Sequence, residues 1–116
     1  MSYDIEIGVR VADTDLYACI ATPEYDHPTY NLSQMFRVAT GWDYEQGKWY
    51  RCEEVMPMIV KGIHELRVNK DGKYFSLQPK NGWGTISGAI DCLDSMRTCI
   101  YEKAEEIPIE HLWVRW

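Results

Sequence analysis

The sequence predicts an α+β fold, in which an N-terminal β-hairpin and a C-terminal strand form an antiparallel sheet covered by about three helices. Residues 3–11 alternate apolar and polar side chains, the period of a half-buried strand. Residues 86 to about 105 repeat apolar side chains every three or four positions, which is typical of a helix. Residues 109–116 alternate again, and a third strand stabilises a hairpin that is marginal alone.

The N-terminal hairpin is predicted from two strands and the turn between them. Residues 3–11 form the first strand, residues 12–15 the turn and residues 16–22 the second strand. The first-strand side chains expected to face the core are Tyr3, Ile5, Ile7, Val9 and Val11. A loop over residues 23–30 follows.

Two shorter helices are predicted next. Asn31 is expected to cap the first, and Gly41 to end it. Its apolar stripe consists of Leu32, Met35, Phe36 and Ala39. The second helix covers residues 53–68, and Pro57 fits only in its first turn, which places the start near residue 53 or 54.

The long helix has the clearest start signal in the chain. Thr85 is predicted to be its N-cap, and residues 74–79 before it are expected to be extended. Gly82 and Gly84 flank Trp83 and give the backbone the freedom to fold that indole against the helix start as a plug. In the final strand, Ile109, Leu112 or Val114, and Trp116 are expected to face inward, with His111 in mid-strand.

Length, composition and charge limit the classes of protein. The 116 residues, 46% of them hydrophobic, are predicted to form one domain over residues 1–116. No run of apolar residues is long enough for a membrane span, and the N-terminus has no signal-peptide pattern, so we expect a cytoplasmic protein without membrane contact. Residues 1–31 hold six acidic residues and one basic residue of a chain with net charge −6. This acidic third is expected to repel a nucleic-acid backbone but to allow a basic protein partner.

No reactive motif stands out. The four cysteines, Cys19, Cys52, Cys92 and Cys99, have no C-x-x-C spacing, and we expect buried free thiols and no metal or cofactor. The Asp13 and Asp15 pair lacks the rest of a calcium loop. His27 near Glu24 and Asp26 is the one combination that suggests acid–base chemistry, and no residue is assigned as catalytic.

A candidate binding site is predicted where two helices start. Asn31 and Asn81 are either caps and turn residues, or they lie beside converging helix N-termini whose N–H groups hold an anionic or polar ligand. In the second interpretation Tyr30, Gly82 and Trp83 line the recess, and His27 lies nearby. Trp42 or Trp49 would supply aromatic walls, although the four aromatics in residues 42–50 are equally suited to pinning a loop onto the core.

Two motifs in this region carry a resemblance. Residues 29–35 read T-x-N-L-x-x-M, and residues 79–84 read P-x-N-G-W-G. Together with Gly62-Ile63-His64-Glu65-Leu66, they resemble a family of small uncharacterised proteins found in bacteria and in phages or prophages. The chain has Tyr30 where many relatives have His before the Asn. The resemblance implies a small α+β module in mobile-element settings and no particular activity.

The leading hypothesis is a non-enzymatic binding protein. With the resemblance, it becomes a phage or prophage accessory protein in the host cytoplasm that counters host immunity. It would do so by sequestering a nucleotide-type small molecule near Tyr30, Asn81 and Trp83, or by blocking a basic host effector protein with its acidic surface. The alternatives are a small hydrolase that uses His27 with loop carboxylates, and a structural subunit of a homo-oligomer that pairs through an exposed sheet edge.

Overall fold

The computed structural model describes residues 3–25, 28–82 and 84–116, and it has the predicted α+β architecture. The strands are β1 (Glu6–Arg10), β2 (Tyr17–Ala21), β3 (Trp49–Arg51) and β4 (Leu112–Arg115). The α-helices are α1 (Ser33–Thr40), α2 (Cys52–Val68) and α3 (Ile86–Ala104). Short 3₁₀ segments lie at Tyr30–Leu32, Lys70–Leu77 and Ile109–His111.

The four strands form one antiparallel sheet in the order β2-β1-β4-β3. The C-terminal strand β4 pairs with β1, as predicted, and so lies inside the sheet. A fourth strand that the sequence did not predict, β3, pairs with the other side of β4. The sheet edges are therefore β2 and β3.

The two faces of the sheet have different neighbours. Ile7, Leu112 and Val114 are fully buried on the face that packs under the helices. Side chains alternate between faces along each strand, and directly paired residues share a face. The opposite surface, here called the open face, carries Glu6, Gly8, Arg10, Tyr17, Cys19, Trp49, Arg51, Trp113 and Arg115.

The three helices begin and end largely where their residues predict. Thr85 caps α3 by accepting the Gly88 N–H with its hydroxyl at 2.9 Å. The predicted stripe of α1 is buried, and Gly41 ends that helix in the left-handed conformation, with φ of 69°. The core stripe of α3 is also largely buried, with Ala89, Leu93, Met96 and Ile100 inaccessible to solvent.

An aromatic cluster fills the core around the C-terminal residue. Trp116 stacks on Tyr44, with ring centroids 4.3 Å apart, and contacts Phe36 and Trp42. Tyr3 packs against the same indole at 5.4 Å. Trp42 and Tyr44 are both buried, so this part of residues 42–50 pins its loop onto the core.

Expectations about three elements are wrong. The cap of the Tyr30–Leu32 segment is Thr29, whose hydroxyl accepts the Asn31 N–H, so Asn31 is not the N-cap. Helix α2 begins at Cys52 and places Pro57 in its second turn, where the missing N–H removes one intrahelical hydrogen bond. Residues 70–77 are 3₁₀ and not extended from 74 onward, because Asp71 and Gly72 adopt positive φ and redirect the chain.

Three side-chain expectations are also wrong. Val11 is 44% exposed because β1 ends at Arg10. His111 lies in the 3₁₀ turn before β4 and is exposed. Cys19 is exposed on the edge strand β2, whereas the other three free cysteines are buried.

Across residues 3–25, 28–82 and 84–116, every helix is too short or too polar to cross a lipid bilayer.

Candidate functional site

The two helix starts singled out in the sequence lie against each other. Gly84, just before α3, adopts φ of +130° and packs against Leu32 and Thr29. A Cβ added there would lie 2.9 Å from Leu32 Cδ2 and 3.2 Å from Thr29 Cγ2. Glycine is therefore required by the backbone angle and by the contact. This close approach joins the segment before α3 to the Tyr30–Leu32 segment.

The amide donors at this junction are largely used within the chain. Gln78 Oε1 accepts the Ile86 N–H at 3.0 Å, and the Thr85 hydroxyl accepts the Gly88 N–H at 2.9 Å. The Leu32 N–H donates to the Thr29 carbonyl at 3.1 Å. An anion held by helix N–H groups needs donors that face solvent. The junction therefore has fewer donors for a ligand than the sequence suggested.

The predicted site residues differ in position and exposure. Tyr30 makes an edge contact with Tyr3 at 4.5 Å, and its hydroxyl accepts a hydrogen bond from the Gln46 amide. Asn31, Asn81 and Gly82 are exposed. Trp42 is buried in the core, whereas Trp49 is on the open face. His27, Asp26 and Trp83 lie outside the described residues.

The open face carries a layer of aromatic side chains. Trp49 crosses the sheet to reach Gly8, where a Cβ would lie 2.8 Å from two of its ring atoms. Tyr17 stacks on Trp49, with centroids 5.0 Å apart and planes inclined by 13°. Trp113 meets the edge of Tyr17 at 5.1 Å. All three rings are half-buried, so this face presents a partly exposed aromatic surface.

Arginine side chains lie among these rings. Arg115 donates to Glu6 Oε1 at 2.6 Å and lies 5.1 Å from the Trp49 centroid. Arg51 lies 5.3 Å from the Trp113 centroid, within the range of a cation–π contact. Arg115 is held in a close ion pair with Glu6. Arg10 and Arg51 are therefore the more accessible positive groups of the open face.

One end of the open face forms a cleft of about 360 Å³, here called the arginine–indole cleft. Its polar walls are Arg10, Asp13, Arg51, Glu110 and His111, and Trp113 forms an aromatic wall. The ion pairs of the two arginines are long, at 3.9 Å from Arg10 to Asp15 and 3.7 Å from Arg51 to Glu53. Arg10 also donates through Nε to the Thr14 carbonyl at 2.6 Å, which holds its guanidinium at the rim.

A second concavity lies between α3 and the segment after β2. This acidic groove, of about 590 Å³, is lined by the carboxylates of Glu24, Asp91, Asp94 and Glu102. Ser95 accepts the Tyr25 N–H with its hydroxyl at 2.8 Å and so fixes the segment to α3. Within the described part of the chain, no cluster of three or more His, Cys, Asp and Glu side chains is arranged to hold a metal ion.

The buried thiols are poor nucleophiles. Burial, and secondly the neighbouring Cys99, raise the pKa of the Cys52 thiol to about 12. Burial, followed by Glu102, raises the pKa of Cys99. Since the thiolate is the reactive form, neither residue is suited to nucleophilic catalysis near neutral pH.

No protein-family model, curated protein or solved structure matches the chain. Sequence reasoning missed the arginine–indole cleft because it followed only the inward positions of the strands. The signal was present in the same alternation, since Arg10, Trp113 and Arg115 occupy the outward positions between buried residues. Arg51 is brought to the same place only by the pairing of β3 with β4, whereas His111 lies in the turn that leads into β4.

Proposed function

We propose that the protein is a non-enzymatic binding protein that holds a nucleotide-type anion in the arginine–indole cleft. The observation that carries this proposal is the shared lining of one cleft by two loosely paired guanidinium groups, an imidazole and the Trp113 ring. Guanidinium groups bind phosphate oxygens through paired hydrogen bonds, and an indole offers a stacking surface for a base. The volume of about 360 Å³ falls within the usual range of small-molecule sites.

The charges of the cleft define the class of ligand. Arg10 and Arg51 are balanced by Asp13 and Glu110, so the lining is close to neutral and the whole chain has a net charge of −6. A highly charged triphosphate is disfavoured there, since charge repulsion grows with each added phosphate. A nucleoside monophosphate or a cyclic phosphodiester fits better. The two carboxylates then accept hydrogen bonds from ribose hydroxyls or from an exocyclic amine.

The proposed biological consequence is sequestration. A protein that binds a nucleotide without converting it lowers the free concentration of that nucleotide. In the phage or prophage setting that the motifs of residues 29–35 and 79–84 imply, the sequestered molecule would be a signal of host immunity.

The test measures the binding of a panel of ligands by thermal unfolding and calorimetry. The panel contains nucleoside monophosphates, 3′,5′-cyclic mononucleotides, nucleoside triphosphates and inorganic phosphate. A bound ligand raises Tm by mass action, and stacking on Trp113 quenches indole fluorescence. We expect Arg51→Gln to weaken binding at least about tenfold, because the substitution removes one charge-assisted hydrogen bond to the ligand. Arg67→Gln makes the same charge change at an exposed position near the end of α2 and should leave the affinity unchanged.

Three results would reject the proposal. These are no Tm shift with any member of the panel at millimolar concentration, equal affinities for R51Q and R67Q, or conversion of the nucleotide on prolonged incubation followed by chromatography. The last result would favour the hydrolase alternative.

A second candidate function is the blocking of a basic host protein, which the acidic groove favours. Asp91, Asp94 and Glu102 lie on α3 and Glu24 lies on the facing segment, and together these carboxylates match a surface rich in Lys and Arg. The two candidates respond differently to salt. A complex held by exposed charges weakens steeply between about 0.05 and 0.5 M salt, because screening shortens the reach of those charges. Asp91→Asn would weaken such a complex and leave nucleotide binding unchanged.

A further inference from the structure

Strand β2 forms an open edge of the sheet. Its backbone pairs with β1 on one side. Among the described residues, no other backbone group bonds to residues 17–21. The Ala21 carbonyl accepts the Cys19 thiol at 3.5 Å, and the other outward-pointing N–H and C=O groups of this strand are available to a further strand.

The β2 edge has one irregularity, a shift of register against β1 between Ile7 and Gly8, opposite residues 19–21, but it lacks the charges and proline that usually block strand pairing. Residues 16–22 contain no charged side chain and no proline. Leu16, at one end, is 67% exposed, the largest value among the large hydrophobic side chains described, and it lies beside the exposed Val11. The opposite edge is different. β3 has only three residues, it follows Lys48 and ends with Arg51, and the Gly47 N–H just before it is bonded to the Trp116 carbonyl.

We propose that two copies of this chain pair through β2 to form a dimer with a continuous eight-stranded sheet. A strand that pairs with its own copy about a twofold axis is necessarily antiparallel. With the axis at Cys19, the middle residue of Tyr17–Ala21, Ala18 lies opposite Ile20 of the second copy. The edge is the neutral part of a chain of net charge −6, so two copies meet there with little repulsion.

The exposure of the edge residues supports this register. Ala18 and Cys19 are the two exposed residues of Tyr17–Ala21, and pairing about Cys19 covers both of them.

The dimer has a consequence for the open face. A twofold axis perpendicular to the sheet keeps the open faces of both copies on the same side. The Tyr17, Trp49 and Trp113 layers of the two copies then form one surface, with an arginine–indole cleft on each half.

The first test measures the mass in solution of the full chain by sedimentation over about 1 to 300 μM. The wild-type protein is expected to be dimeric at the upper end. Cys19→Lys places two ammonium groups opposite each other and should give a monomer. Ala18→Lys, also at the exposed edge, replaces Cys19→Lys in the test if the loss of helical circular dichroism shows that Cys19→Lys does not fold. Val60→Lys, an exposed apolar position on α2, is the matched control and should remain dimeric.

The second test uses Cys19 as a reporter of register. Directly opposed residues of antiparallel strands have Cα atoms about 4.5 or 5.5 Å apart, and a disulfide requires about 4.4–6.8 Å. Diamide removes two electrons and two protons from a thiol pair and should link the copies. Partial burial of the sulfur and the nearby Glu6 raise the pKa of Cys19, so the reaction is run near pH 9. We expect a linked dimer that Cys19→Ser abolishes and Cys99→Ser retains.

A monomer at every concentration overturns the proposal, as does a dimer that persists in both lysine edge variants. If the protein is dimeric but diamide does not link the copies through Cys19, the proposed register is wrong. These outcomes are separate from the nucleotide proposal, because R51Q should lose ligand and remain dimeric.

Discussion

The ionisation of Cys52 makes the stability of the fold depend on pH in the alkaline range. Its side chain is fully buried at the first turn of α2, and burial is the main cause of its pKa of about 12. A thiol in the unfolded chain has a pKa of about 8.5. Above that value the unfolded state releases a proton that the folded state retains. The stabilisation from the neutral thiol is therefore complete below about pH 8.5 and is lost as the pH rises towards 12.

We predict that the free energy of unfolding falls more steeply between pH 9 and 11 in the wild type than in Cys52→Ala. The expected difference in slope is up to about 1.4 kcal/mol per pH unit, the linkage value for one proton. Urea unfolding at several pH values measures it. Tyr44, whose pKa is raised by burial and then by its hydrogen bond with Tyr3, contributes equally to both proteins and cancels in the comparison. Identical slopes would contradict the assignment.

At single positions, the sequence predicted which side chains are buried better than which residues they contact. The inward residues Ile5 and Ile7 follow from a two-residue period, which needs no knowledge of the rest of the chain. The contact of Gly84 with Leu32 and the approach of Arg51 to Trp113 depend on how distant segments meet. A local pattern shows that Gly84 is flexible, but not which side chain makes that glycine necessary.

Among the helices, Gly62 marks the closest packing. A Cβ on this α2 residue would lie 2.5 Å from Thr40 Cγ2 at the end of α1 and 3.1 Å from Leu93 Cδ1 on α3. Thr40 has little room to move, since it is buried and its hydroxyl donates to the Phe36 carbonyl at 2.6 Å. The three helices therefore meet at a position where only a hydrogen fits.

We predict that Gly62→Ala destabilises the protein by about 1–2 kcal/mol, since overpacking outweighs a helix-propensity gain of up to about 1 kcal/mol. Urea unfolding gives the value. Gly88→Ala is the matched control within a helix, because its nearest neighbours are the Thr85 hydroxyl at 3.3 Å and the Tyr25 hydroxyl at 3.6 Å, both ends of side chains. G88A should be neutral or stabilising, and equal effects would show that packing at Gly62 is not limiting.

The elements that the sequence predicted are those with a sustained period. Helix α3 was predicted to within one residue at its end because its stripe runs over 19 residues and starts at a cap. β3 was missed because three residues cannot display a period, and its existence depends on pairing with β4. The Lys70–Leu77 segment was misjudged because its path depends on positive φ at Asp71 and Gly72.

The molecule as a whole joins its core and its open face through a single strand. β4 turns Leu112 and Val114 toward the helices, and it turns Trp113 and Arg115 toward the open face. It also separates β1 from β3, so its removal divides the sheet. The aromatic layer over Gly8 and the core around Trp116 therefore depend on the same backbone hydrogen bonds.

We therefore predict that the chain unfolds as one cooperative unit, as small single domains usually do. In urea, the loss of helical circular dichroism should coincide with the loss of the near-ultraviolet signal of the open face. The difference between the wild type and Trp49→Phe isolates that signal, because Trp49 stacks on Tyr17 away from the core indoles. Trp113→Phe, a change in β4, should move both midpoints by the same amount. An open-face transition at lower urea than the helical one would mean that the aromatic layer is a separate unit, and the single-domain prediction would be wrong.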